Sequence, residues 1–147
     1  MVVDKLLPIA RPKLVTILDS ATLMDTARLL RDANTDIVAV CTRDGVLAGV
    51  ITKTDVVSQI SRCQGQSCTA RAASVMTREV ILCHPGQQLS EVWSTMRSRK
   101  LKNVPIVNEE SRPIGMLNAR DALQLLLEEV EDEELLLRDY VMSVGYH

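Results

Sequence analysis

One ungapped spacing runs through this chain. Gly49 and Gly115 lie 115 − 49 = 66 residues apart, and Leu23 and Leu89, Val38 and Val104, and Asp55 and Asp121 share that spacing. Class matches fill the frame: Asp25 with Glu91, Leu30 with Met96, Val40 with Ile106, Ile51 with Leu117, Ile60 with Leu126. Residues 14–60 therefore align on 80–126 in constant register. A repeat of this kind limits the fold strongly, because both copies must adopt the same supersecondary unit.

Each copy reads β-α-β-β-α. A β-rich run opens it, at 14–18 and again at 80–83, followed by turns at Asp19-Ser20 and Pro85-Gly86. A helix follows, with Leu23, Ala27 and Leu30 in one copy and Leu89, Trp93 and Met96 in the other at helical spacing. Two strands come next, at 37–41 and 46–51 around the turn 42–45, and at 104–107 and 113–117 around the turn 108–111. A second helix carries Val56, Val57 and Ile60, or Ala122, Leu125 and Leu126. The polar stretch 61–72, SRCQGQSCTARA, reads as the link between copies. The expected organisation is a leader at 1–13, repeat 1 at 14–62, a linker at 63–73, repeat 2 at 74–130 and an acidic, apolar helical tail at 131–147. A unit this short cannot bury both faces of its sheet alone. The fold class is therefore α/β, two βαββα repeats packed sheet to sheet with pseudo-twofold symmetry and two equivalent clefts.

Composition narrows what such a pair can do. The chain has 147 residues, 46% of them hydrophobic, and 24% charged, so it is too apolar for disorder. It holds no Phe, one Trp (Trp93) and two Tyr (Tyr140 and Tyr146), which leaves no platform on which bases could stack. A formal net charge of −2 gives phosphate backbones and anionic membranes no attracting field. No run approaches the roughly 20 apolar residues of a membrane span, and the opening MVVDKLLPIARPK does not read as a signal peptide. Cys41, Cys63, Cys68 and Cys83 read as free thiols of a cytoplasmic protein. Cys63, Cys68 and Cys83-His84 lack the spacing of a zinc knuckle, so no metal is expected, and His84 has no acid or nucleophile beside it in the pattern.

At the end of the third strand of each copy stands a short motif, GVITKTD at 49–55 and GMLNARD at 115–121. Thr52 with Asp55, and Asn118 with Asp121, have the spacing of a helix N-cap and an acid three residues on. The same geometry can hold a ligand. A helix N-terminus offers N–H groups and a positive dipole to phosphate, and a carboxylate one turn on can accept from both hydroxyls of a ribose. The preceding glycine would let a ligand approach the backbone closely.

These residues resemble a pair of CBS domains, a Bateman module. The likeness covers about 12–128 and is stronger in the second copy, through Ser74-Val75-Met76-Thr77, Asn103-Val104-Pro105-Ile106-Val107-Asn108 and 115–121. It implies a sensor or regulatory module that binds an adenosine ligand such as AMP, ADP, ATP, NAD or S-adenosylmethionine, with an adenine nucleotide as regulatory ligand rather than catalytic cofactor. It also implies composite clefts. Site A would take Val50, Thr52, Thr54 and Asp55 from the first copy and Val80, Ile81, Leu101 and Lys102 from the second. Site B would take Met116, Asn118, Arg120 and Asp121, with Leu14, Val15, Thr35 and Asp36 opposite. Asn118 replaces the hydroxyl of Thr52, and Asp36 replaces Lys102, so site A is expected to be the better phosphate site.

No Ser/His/Asp or Cys/His constellation emerges, and no enzyme is read from the sequence. The rival readings are a ligand-free dimerisation scaffold and an enzyme acting on the bound nucleotide. Beyond 128 the acidic run continues the last helix with a solvated face. Val130, Leu137 and Val141 keep helical spacing there, and Leu135-Leu136-Leu137 calls for a partner helix or a fold back onto the module. The expected partners are a second copy of the chain and an unidentified regulated protein, with neither nucleic acid nor membrane.

Overall fold

Each repeat is built around an antiparallel pair of strands, and the computed structural model describes residues 1–62 and 69–145. In the first repeat β1 (Thr16–Leu18) runs parallel to β2 (Ile37–Cys41), which pairs antiparallel with β3 (Leu47–Thr52), in the order β1-β2-β3. In the second, β4 (Asn103–Val107) pairs antiparallel with β5 (Pro113–Asn118). Helices α2 (Leu23–Asp32) and α3 (Lys53–Arg62) belong to the first repeat, α5 (Leu89–Ser98) and α6 (Ala119–Gly145) to the second. Short helices α1 (Leu7–Ala10) and α4 (Ala72–Val75) precede the repeats. The proposed linker at 63–73 lies partly, and Cys63, Cys68 and Tyr146 wholly, outside the described residues.

The 66-residue spacing extends to irregular features. The strand register slips between Val40 and Cys41 and again between Ile106 and Val107. Positive φ angles fall at Asn34 and Lys100 after α2 and α5, and at Gly45 and Ser111 in the two hairpin turns. Both helix ends close the same way, Thr35 N donating to Leu30 O at 3.2 Å and Leu101 N to Met96 O at 2.8 Å. At the other end of α2, Thr22 and Asp25 form a reciprocal capping box.

The symmetry breaks at the strand expected over 80–83. Only an isolated parallel bridge between Cys83 and Ile106 forms there. In the first repeat Ala39 N donates to Val15 O at 2.8 Å; the residue in the place of Ala39 is Pro105, which has no N–H to give. The ladder is therefore reduced to the two bonds flanking Cys83, to Pro105 O and from Val107 N, both 2.9 Å.

Three apolar clusters hold the molecule together. Leu23, Leu30, Val38, Val40, Ile51 and Val56 form the core of the first repeat, and it includes Ala72. Leu89, Val92, Met96, Val104, Ile106 and Leu117 form that of the second, and it includes Val3, Leu6, Leu7 and Ala10. Each repeat is thus completed by the segment that precedes the other. Between the sheets, Ile37, Ala39 and Val50 meet Met116, flanked by Leu14 and Val80. Val50 and Met116 are repeat equivalents, as are Leu14 and Val80, so the pseudo-twofold axis passes through this cluster.

The helix faces depart from the simple pattern. Val56 is buried, but Val57 and Ile60 are exposed on α3, as are Leu123, Leu127 and Val130 on α6. Helix α6 runs on through the acidic stretch without folding back, and leaves Leu135, Leu136, Leu137, Tyr140, Val141 and Met142 exposed. Among the described residues no helix is long and apolar enough to cross a membrane.

Candidate functional site

The positions where β3 ends and α3 begins set the larger cleft. Thr52 Oγ1 accepts from Asp55 N at 3.2 Å, and Asp55 Oδ2 accepts from Thr52 N at 2.9 Å, a closed capping box. A carboxylate has about four acceptor positions, so one bond to Thr52 N leaves Asp55 able to take two hydroxyls. The cleft in front of this box has a volume of about 700 Å³. All eight residues expected in site A line it: Val50, Thr52, Thr54, Asp55, Val80, Ile81, Leu101 and Lys102. Val50, Val80, Ile81 and Leu101 supply apolar walls, and Lys53, Thr54 and Asp55 bring the first turn of α3 to the lining.

Gly49 serves a different end from the one expected. A Cβ there would lie 2.6 Å from the backbone O of Thr77 and 2.8 Å from Met76 Sδ, so the glycine admits the chain entering the second repeat rather than a ligand. Val50 and Thr77 then exchange backbone bonds, Val50 N to Thr77 O at 3.1 Å and Thr77 N to Val50 O at 2.9 Å. Gly115 does the same for Ala10, whose Cβ would be 3.1 Å from the added carbon. The two glycines fix the cleft walls by letting the leaders cross the third strands.

Charged residues beyond those expected in site A also line the larger cleft. Lys53, Glu79, Arg99 and Lys100 join Lys102 and Asp55 there. Lys53 Nζ pairs with Asp36 Oδ1 at 3.2 Å, and Asp36 lines both clefts. Extending the repeat spacing upstream of residue 14 was the signal for one of these: Glu79 is the counterpart of Lys13.

The smaller cleft measures about 290 Å³. Of the residues expected in site B, Val15, Thr35, Asp36, Met116 and Asn118 line it. Leu14, Arg120 and Asp121 are not among its lining residues. Leu14 packs into the cluster between the sheets, and Arg120 gives its backbone N–H to Asn118 Oδ1 at 2.9 Å. The second capping box, expected from Asn118 with Asp121, does not form. The Asn118 amide caps the backbone two residues on, and its nitrogen donates to Asn103 Oδ1 at 3.2 Å. Asp121 is held instead by an ion pair with Lys13. A ligand ribose at this cleft would compete with an ammonium already seated on the carboxylate.

The thiols of Cys41 and Cys83 stand apart from both clefts. Cys41 and Cys83 are buried and free, and burial pushes the Cys83 thiol up to about 12, leaving it neutral at ordinary pH. Among the described residues no group of three or more His, Cys, Asp and Glu is placed to hold a metal ion.

The family model of the CBS domain matches residues 5–62 and 72–128. The chain belongs to the CBS-domain family, as a pair of repeats. Among solved structures, the CBS domain pair of protein MJ0100, in complex with 5′-methylthioadenosine and S-adenosyl-L-methionine, superposes with a TM-score of 0.72 at 22% identity, covering 88% of this chain and 98% of that one. The cytosolic domain of the Mg²⁺ channel MgtE in complex with ATP gives 0.67 at 24% identity, over 78% of this chain and 45% of that one. A homoserine O-acetyltransferase from Methanococcoides burtonii is 25% identical over 114 residues. That match covers 78% of this chain but only 22% of the relative's length.

Proposed function

We propose that this CBS pair is a regulatory module that binds an adenosine-containing ligand, bearing phosphate, in the larger cleft and passes its occupancy to a partner protein in the cytoplasm. The observation that carries the reading is the convergence of the Asp55 carboxylate, the N-terminus of α3 and an apolar wall on one open cleft. Adenine would lie among Val50, Val80 and Ile81, ribose on Asp55, and phosphate toward Thr52, Lys102 and the helix N-terminus. The adenosine ligands of MJ0100 and MgtE support the class of ligand. The nucleotide acts as an effector, not a catalytic cofactor, and the chain is not an enzyme. The smaller cleft, with Asp36 on its wall and Asp121 tied to Lys13, is the weaker site.

Calorimetry against AMP, ADP, ATP, NAD and S-adenosylmethionine tests this directly. At least one is expected to bind with nanomolar to micromolar affinity and, at about 100 times its Kd, to stabilise the fold by about 2.7 kcal/mol. No heat and no thermal shift with any of them would leave a dimerisation scaffold. Conversion of a nucleotide, followed by chromatography, would make the protein an enzyme.

Signalling requires that the ligand bind two arrangements of an assembly unequally. The assembly is a homodimer joined through the apolar residues that α3 and α6 leave exposed, with the tail adding to it. Deleting residues 135–147 removes Leu135, Leu136, Leu137, Tyr140, Val141 and Met142 from that surface. Light scattering is expected to show a smaller species than the full chain; an unchanged mass would show that the tail takes no part.

A further inference from the structure

The turn that ends α5 holds a lysine in a conformation that lysine disfavours. Lys100 has φ +56°, in the left-handed region that Gly and Asn occupy far more readily. The equivalent turn after α2 places Asn34 there, with φ +49°. Both turns close on the same backbone bond five residues back, so the turn needs no cation. Such strain, where it occurs, marks positions at which the side chain is wanted for something else.

Lys100 lines the larger cleft together with Arg99 and Lys102. None of the three forms an ion pair with a described residue; the cleft's fourth cation, Lys53, pairs with Asp36. Their counterparts at the smaller cleft are Ala33, Asn34 and Asp36. A fold that is otherwise repeated thus gathers three cations in four residues at one cleft and none at the matching positions of the other, where the lining lysine, Lys13, is paired with Asp121. The carboxylates that line that cleft, Asp36, Asp55 and Glu79, come from other elements, and Asp36 is paired with Lys53. The proposed function assigns a first phosphate to Lys102 and the start of α3, which leaves Arg99 and Lys100 without a part in holding a monophosphate.

We infer that Lys100, with Arg99, makes the larger cleft selective for a nucleoside di- or triphosphate over the monophosphate. The inference rests on the adenosine reading of that cleft and adds the number of phosphates to it. Lys100 is a specificity residue: it meets the outer phosphates and leaves adenine and ribose to the apolar wall and Asp55.

The test is calorimetric titration of AMP, ADP and ATP into the full chain and into Lys100→Gly and Lys100→Asn. Both substitutions suit the left-handed backbone, so both variants are expected to melt no lower than the parent. In the parent, affinity should rise about threefold or more with each added phosphate, and removing the ammonium should cost about five- to tenfold for ATP but less than about twofold for AMP. Equal affinity of the parent for AMP and ATP, or an equal loss for both in the variants, would overturn the inference while leaving the adenosine reading standing. Silence of the parent with all three while NAD or S-adenosylmethionine binds would overturn the inference alone, and silence with all five would overturn both.

Discussion

Leu6→Ala is expected to destabilise the protein by about 2–5 kcal/mol, the range for truncating a fully buried leucine. Leu6 precedes the first strand of repeat 1, yet it is wholly buried in the core of repeat 2, with Cys83, Leu89, Ile106 and Leu117. The turn around it is pinned by backbone bonds to the same repeat, Val3 N to Gln87 O and Asp4 N to Pro85 O, both 2.9 Å. The mirror arrangement holds at Ala72, whose N–H donates to Ala21 O at 2.7 Å in repeat 1. Because each repeat completes the other, the loss should appear as one cooperative transition at lower denaturant, not as the melting of a peripheral leader. Ile9, three residues further on in α1 but 43% exposed, supplies the comparison; Ile9→Ala should cost no more than about 1 kcal/mol. A Leu6→Ala variant as stable as Ile9→Ala in urea unfolding would refute the exchange of leaders.

Asp55→Ala is expected to weaken binding of the adenosine ligand by about 1.5–3 kcal/mol, roughly ten- to 150-fold, because charge-assisted bonds to ribose are lost. The carboxylate also closes the capping box with Thr52. Losing that box should cost about 1 kcal/mol of stability, well short of unfolding a domain this size. The two effects separate cleanly: calorimetry reads the first and denaturant unfolding the second. A variant with reduced stability and unchanged affinity would show that Asp55 is a helix cap and nothing more.

The repeat spacing made much of this structure legible. Strand Ile37–Cys41 falls on its expected bounds, and the residues expected around site A meet in one cleft. What escaped was decided by single atoms that a pattern of apolar positions does not register. The strand at 80–83 failed because Pro105 has no N–H where Ala39 has one. The second capping box does not close because Asn118, though it caps Arg120 N, donates its amide nitrogen to Asn103, and Asp121 pairs with Lys13. The motif glycines suggest room for a ligand, but what crosses them is chain from a segment far away in sequence. In the leader, residues 1–13, the apolar residues carry no sign in the sequence of which core they enter. The exposure of Val57 and Ile60 has a similar origin, since a run of apolar residues on a helix marks more surface than one sheet can cover.

The most direct measurement compares ATP binding to Asp55→Ala and Asp121→Ala by calorimetry under one set of conditions. Both carboxylates begin a helix at the same point of the repeat, but only Asp55 lines the cleft of about 700 Å³, while Asp121 is paired with Lys13. Binding in the larger cleft predicts a loss of tenfold or more for Asp55→Ala, on the order expected for charge-assisted bonds, with Asp121→Ala close to the parent. An equal loss in both variants, or a greater one in Asp121→Ala, would contradict it.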